Sequence, residues 1–299
     1  MIKPPYLKKG DKIGIISPAG KISKDIIDPA ISLLEKMGYI PVKGTHIYAG
    51  EFQMAGKDEQ RLSDIQQMIN DPEIKAIFAT RGGYGLVRII DKIDFKPLVT
   101  NPKWIVGYSD ITILHAHLQG KLHLASIHGV MLKEYQSCSQ RSLNSLTKSL
   151  SGSKSSYEIK SHPFNQPGEC DGILTGGNLS IICSLLGSST EINTDGKILF
   201  IEEIGEHHYH IDRMIRQLKR AGKLKNLAGL IVGSFSHMRD EPKDFGMTAY
   251  EIIAQAISEY DFPVCFDFPA GHTENNYALV LGTEMEIDIR PSVSVLRFT

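Results

Sequence analysis

Short apolar runs alternate with segments of helical period from residue 12 to residue 119, and no other feature constrains the fold so tightly. Residues 12–17 (K-I-G-I-I-S) form an apolar run that ends in Ser-Pro-Ala-Gly. Ile26, Ile27, Ala30, Leu33, Leu34 and Met37 then follow at helical spacing and stop at Gly38. The pattern repeats: a strand at 39–42 and a helix at 58–69, a strand at 74–80 and a helix at 84–93, a strand at 104–107 and a helix at 110–119. Strands apolar along their whole length, each joined to the next by a helix, predict a mostly parallel sheet covered on both faces, a Rossmann-like α/β arrangement.

The second half has a different texture. Nine serines fall between Ser137 and Ser156, with few large apolar residues beyond Leu143, Leu146 and Leu150. This predicts an exposed connection carrying one amphipathic helix. Strands are expected near 173–174, 197–201, 227–232, 264–268, 278–281, 285–289 and 293–298, and helices at 179–186, 211–221 and 248–260. The last three strands are consecutive and alternating, which predicts antiparallel pairing among them. A chain of 299 residues suits about two domains. The division expected is an N-terminal domain over 1–136, a Ser-rich linker over 137–167, and a smaller mixed α/β domain over 168–299.

Charge and cysteine usage exclude several function classes. With 33 basic and 34 acidic residues, the net charge of -1 gives no footprint for nucleic acid or an anionic membrane. No apolar stretch approaches the ~20 residues of a membrane helix, and residues 1–11 lack an export signal, so the cytoplasm is the expected compartment. Cys138, Cys170, Cys183 and Cys265 form no C-x-x-C pair and are expected as reduced thiols.

Ligands of an open parallel sheet bind beyond the carboxyl ends of its strands. Two of the turns there are chemically suggestive. Arg81-Gly82-Gly83-Tyr84-Gly85 brings three glycines into four positions, so backbone N–H groups can approach a ligand closely. A tight turn with no ligand is the plain alternative, and the missing third glycine at Arg88 weakens a dinucleotide reading. Gly107-Tyr108-Ser109-Asp110-Ile111-Thr112 puts a serine on a sharp strand-to-helix turn, where its hydroxyl could stand clear of the sheet. Ile111 replaces the glycine of the α/β-hydrolase elbow, and Ser109 or Asp110 could equally cap the helix.

A serine nucleophile needs an oriented base. His272 lies in the polar loop Pro269-Ala270-Gly271-His272-Thr273-Glu274, and Glu202-Glu203 closes the strand at 197–201. Strand alternation sends the two carboxylates to opposite faces, so one at most can serve. Among the eleven histidines, His207 and His210 could share a helix face while His115 and His117 point apart, but no complete zinc signature occurs. No metal is expected.

Taken together and in order, five segments resemble the murein LD-carboxypeptidases, bacterial serine peptidases of cell-wall recycling. They are Arg81-Gly82-Gly83-Tyr84-Gly85, Gly107-Tyr108-Ser109-Asp110-Ile111-Thr112, Leu174-Thr175-Gly176-Gly177-Asn178-Leu179, Phe200-Ile201-Glu202-Glu203 and Pro269-Ala270-Gly271-His272. The resemblance runs from Gly14-Ile15-Ile16-Ser17-Pro18-Ala19 to Gly271-His272. It implies Ser109 as nucleophile, Glu202 as orienting carboxylate and His272 as general base. It further implies a C-terminal domain with a barrel-like sheet, a homodimer, no cofactor, and a muropeptide tetrapeptide whose terminal D-alanine is released. Backbone N–H groups of Asp110 and of Gly82 or Gly83 would bind the oxyanion. Arg81 and Tyr84 are the candidate substrate contacts, Arg81 because a guanidinium suits a free carboxylate. Two other readings stand beside this one: a microcin-immunity-type hydrolase of peptidyl-nucleotides with the same triad, and a non-catalytic peptide-binding protein in which Ser109 is a cap.

Overall fold

The computed structural model describes residues 1–240 and 244–298. In chain order the elements are β1 (Lys12–Ile16), α1 (Lys24–Lys36), β2 (Ile40–Lys43), α2 (Asp58–Asn70), β3 (Ile74–Ala79), α3 (Pro97–Thr100), β4 (Trp104–Gly107), α4 (Thr112–His117), β5 (Ser126–His128) and α5 (Gln140–Ser151). They continue with β6 (Ser156–Lys160), β7 (Gly168–Asn178), α6 (Leu179–Ser184), β8 (Ile198–Ile204), α7 (His208–Arg220), β9 (Gly229–Ser236) and α8 (Ala249–Ile257). The chain closes with β10 (Val264–Cys265), β11 (Leu279–Leu281), β12 (Glu284–Ile289) and β13 (Val293–Phe298).

A first sheet runs in the order β11-β5-β4-β3-β1-β2, parallel except for β11. Its strands are apolar throughout because both faces are covered. Ile77, Ala79 and Ile105 pack with Ile65 and Met68 of α2 on one side, while Ala76, Phe78 and Val106 pack with Ile27, Ile31 and Leu34 of α1 on the other. The second sheet is mixed, β10-β9-β8-β7-β12-β13-β6. Leu199, Ile201, Leu230 and Val232 lie under α6, α7 and α8, and Ile198, Phe200, Ile231, Met285 and Leu296 form the core of the opposite face. The segment after β6 crosses between the sheet's edges. Asn165 donates to Ser294 of β13 and accepts from the N–H of Phe266, and Gln166 bridges Val264. That crossing ties β10 at one edge of the sheet to β13 near the other.

The structure departs from the sequence reading in four places. Residues 84–93 are two short 3-10 turns and not one helix, since Gly83 and Gly85 take positive φ and the Leu86 N–H is held by the Asp110 side chain. The strand Ser126–His128, absent from the reading, lies between β4 and β11. β11 leaves its sequence neighbours and pairs antiparallel with β5, so only β12 and β13 of the last three strands pair with each other.

The fourth departure is the serine-rich stretch. Residues 137–167 contain the α5 helix and the β6 strand, and Ser142, Ser145, Ser149 and Ser155 are buried. Ser139 caps α5 by accepting from the Ser142 N–H. Two of these serines, Ser142 and Ser145, hydrogen-bond to the loop that carries His272. Ser142 Oγ accepts from Asn276 N at 2.9 Å and donates to Glu274 O at 3.2 Å, and Ser145 Oγ accepts from Ala278 N at 2.8 Å. A loop between β10 of one sheet and β11 of the other is thereby fastened along its length.

Candidate active site

The carboxyl ends of β3 and β4 present the two turns to one another. Ser109, the first residue of a 3-10 turn after β4, has φ of 65°, a left-handed conformation that costs a non-glycine residue about 1–3 kcal/mol. Ser109 does not cap this turn, whose cap residue is Tyr108 and which has no side-chain cap. The sharp geometry is held from below by His115, whose Nε2 is 2.9 Å from Gly107 O and whose Nδ1 is 2.8 Å from Ser126 Oγ. Burial drives the His115 pKa down to about 4, so the ring is neutral.

Gly82 lies directly against Ser109. A Cβ at position 82 would stand 2.8 Å from Ser109 Cβ, 2.9 Å from Ser109 Oγ and 3.4 Å from Asp110 N. Only glycine permits this approach. The Asp110 carboxylate then couples the two turns, with Oδ2 accepting the Leu86 N–H at 2.9 Å. Burial raises the Asp110 pKa to about 6 against the pull of that hydrogen bond. A Gly82→Ala variant should therefore keep its fold, as checked by circular dichroism, and lose about 10²–10³-fold in kcat, the scale for displacing an oxyanion donor. Wild-type turnover in that variant would remove the glycine turn from the site.

Glu202 and His272 meet across the second sheet and the fastened loop. His272 Nδ1 is 2.7 Å from Glu202 Oε2, and the Glu202 side chain is fully buried. Burial works to lower the His272 pKa, but the charge of Glu202 and its hydrogen bond outweigh it, and the net shift is upward from 6.5. Glu202 lies on the Phe200 face of β8. Glu203 points the other way, past a register shift, and accepts from Asn178 Nδ2, Ser180 N and Ile204 N near the start of α6. Burial, then the charge of Glu202, raises its pKa. Both carboxylates are buried, so neither is a solvated strand end.

The His272 ring packs edge-on against Tyr108, centroids 4.7 Å apart, which brings it beside the residue preceding Ser109. Among the described residues no hydrogen bond joins Ser109 Oγ to His272, a contact that commonly tightens only when substrate binds. With Nδ1 committed to Glu202, Nε2 is the nitrogen free to take a proton.

Several groups that shape the site have no role assigned from sequence. The Tyr108 hydroxyl donates to Glu134 Oε1 at 2.9 Å. The buried His128 lies between Tyr108 and Phe200, and burial holds its pKa well below 6.5. Thr112 Oγ1 accepts from Asn178 N at 3.0 Å, and a Cβ on Gly177 would come within 2.5 Å of that hydroxyl oxygen. This explains Thr175-Gly176-Gly177-Asn178: it is the seam between the Ser109 turn and the second sheet. Two motifs recognised separately are two sides of one contact.

The candidate substrate contacts fare differently. Arg81 Nε donates to Gly82 O at 3.2 Å and Nη1 to Lys21 O at 3.1 Å, so its guanidinium braces the turn. Tyr84, in the same turn, is 47% exposed. His207 and His210 have ring centroids 5.5 Å apart, and His210 is paired with Glu206. Among the described residues no three His, Cys, Asp or Glu side chains are arranged to hold a metal ion, and no helix is long and apolar enough to cross a membrane.

The chain matches the LD-carboxypeptidase N-terminal domain over residues 13–129 and the LD-carboxypeptidase C-terminal domain over residues 171–287. It is 34% identical to a probable murein peptide carboxypeptidase of Bacillus subtilis, over 98% of this chain and 94% of that one. The crystal structure of muramoyltetrapeptide carboxypeptidase from Oxalobacter formigenes superposes with a TM-score of 0.87 at 28% identity, covering 96% of this chain and 98% of that one. The microcin C7 self-immunity protein of Escherichia coli is 25% identical over 94% of this chain and 92% of that one.

Proposed function

Because the chain belongs to the LD-carboxypeptidase family, a family of serine-type peptidases, we propose that it releases the terminal D-alanine of a muropeptide tetrapeptide through an acyl-enzyme on Ser109. The observation that carries this reading is the 2.7 Å pairing of buried Glu202 with His272, beside a serine held at positive φ. A buried carboxylate costs several kcal/mol unless it is paired, and this one is spent on orienting a single imidazole.

In the proposed reaction His272 Nε2 takes the Ser109 proton as Oγ attacks the carbonyl between the diamino acid and D-alanine. Glu202 holds the Nδ1–H tautomer and stabilises the imidazolium. The N–H groups of Asp110 and of Gly82 or Gly83 bind the oxyanion, and the proton passes from His272 to the leaving amine of D-alanine. Water, activated by the same ring, then hydrolyses the ester. No cofactor enters this scheme.

The reading carries a cytoplasmic location, where wall fragments already inside the cell would be the substrate, and a homodimer, as the family resemblance implies. The balanced charge supports a small zwitterionic peptide over nucleic acid or membrane as partner. The microcin-immunity alternative predicts cleavage of a peptidyl-nucleotide instead. Mass spectrometry of a defined tetrapeptide, carrying lysine or diaminopimelate at position three, should show loss of one alanine after incubation. A peptidyl-adenylate in a parallel tube should remain intact. Cleavage of the nucleotide substrate alone would overturn the assignment.

A further inference from the structure

The residue least explained by the fold is Phe52. It is 87% exposed and its φ is 53°, so a large apolar side chain is held in water on a strained backbone. It occupies the first central position of a two-residue turn, with Glu51 N bonded to Met54 O at 2.9 Å and Met54 N to Glu51 O at 3.0 Å. With positive φ at that position and not at Gln53, the turn follows a pattern that strongly favours glycine there. Neither packing nor turn chemistry accounts for phenylalanine.

The turn is fixed relative to Ser109 by a short series of contacts. Gln53 O accepts from Lys21 N at 3.0 Å, Met54 bridges Gly20, and Gly20 N donates to Gly82 O at 3.0 Å. Lys21 O accepts from Arg81, and Gly82 abuts Ser109. Three neighbouring-chain steps of about 5 Å therefore link Ser109 to the 53–54 segment, which places the two within about 15 Å of each other. An extended peptide spans that distance in about three to four residues. The leaving group of a carboxypeptidase is a single residue, so a substrate that extends from Ser109 to this turn does so through its acyl portion.

We propose that Phe52 is a substrate-binding residue that packs against the apolar face of the acyl portion about three to four residues upstream of the scissile bond. That is the amino-terminal end of the tetrapeptide or the sugar attached to it. The proposal rests on the carboxypeptidase reading above. The left-handed turn aims a rigid aromatic surface with only two side-chain torsions to freeze, and the bracing of Lys21 by Arg81 keeps it in place.

The test compares wild type with Phe52→Ala on a muramoyl tetrapeptide and on the free tetrapeptide, with inactivation by a small fluorophosphonate as a readout that does not reach position 52. The expected result is a loss of about fivefold to tenfold in kcat/KM, mostly in KM, on one or both peptides and an unchanged inactivation rate. Loss on both places the contact on the peptide; loss on the muramoyl substrate alone places it on the sugar. Phe52→Gly, which removes the strain, should show the same kinetic loss and melt no lower than wild type. Unchanged kcat/KM on both peptides, an equal loss in fluorophosphonate reactivity, a lowered melting temperature in Phe52→Gly, or a changed oligomeric state on sedimentation would each overturn the proposal. Absence of alanine release and of labelling in wild type would instead overturn the carboxypeptidase reading, and the proposal would fall with it.

Discussion

The Ser109→Ala substitution should lower kcat by about 10⁶-fold, the scale on which serine peptidases lose activity when the nucleophile is removed. The residual rate should remain about 10³–10⁴-fold above the uncatalysed reaction, since the backbone donors of Asp110 and Gly82 survive the change. His272→Ala should cost nearly as much, and the double variant little more than either, because the two act in one proton transfer. A capping serine would behave otherwise: its loss costs about 1 kcal/mol of stability and leaves turnover intact. Thermal melting separates these. Ser109→Ala keeps the strained φ and should melt like wild type, whereas Ser109→Gly should melt higher while being equally inactive, because glycine accepts a φ of 65° without penalty. Substantial turnover in Ser109→Ala would end the nucleophile assignment.

That strain could not be read from the sequence, and the reason is instructive. Periodicity located β4 and the turn after it, since a run of apolar residues closed by glycine is a local signal. What makes Ser109 unusual is the approach of Gly82 from another turn, twenty-seven positions away in sequence, and nothing in either turn alone announces that meeting. The same holds for residues 84–93. Their helical spacing was real, but two positive-φ glycines and the Asp110 side chain drew the Leu86 N–H out of any helix. Tertiary hydrogen bonding overrode a local pattern.

The serines of 137–156 carry a similar lesson. Counted as composition they suggest a solvated tether. Ser142, Ser145 and Ser149 are spaced at three and four, so they line one face of a helix, and a polar stripe at that period must find partners if it is buried. Two of its partners are the backbone groups around Asn276 and Ala278, which fixes the loop bearing His272. The periodicity was available in the sequence, but the partner was not. By contrast, the separation of Glu202 from Glu203 followed from strand alternation alone, and β8 keeps it despite the register shift between Ile201 and Glu203.

The Glu202→Gln substitution should lower kcat by about 10⁴-fold and also move the pH profile, and the direction of that movement identifies the carboxylate's role. Two effects oppose each other on His272: burial favours the neutral ring, and the charge and hydrogen bond of Glu202 favour the cation and prevail. In wild type the ring must lose its proton before it can act as base. The acid limb of kcat/KM should therefore lie above pH 6.5, with activity rising as pH rises through it. Remove the charge at Glu202 and burial is left largely unopposed, so the limb should fall below 6.5 while the plateau drops. Stability changes with the opposite pH sense. A histidine whose folded pKa is raised stabilises the fold fully below its unfolded value near 6.5, and that contribution is lost as pH rises through the folded value. The melting temperature of wild type relative to Glu202→Gln should accordingly shrink between mildly acidic and alkaline buffer. Glu203→Gln provides the contrast, because its contacts are with Asn178, Ser180 and Ile204 and its charge is a smaller upward influence on His272 than that of Glu202, so its limb should fall by less. A limb that moved upward in Glu202→Gln, or moved equally in both variants, would mean that the carboxylate at 2.7 Å does not set the protonation of the base.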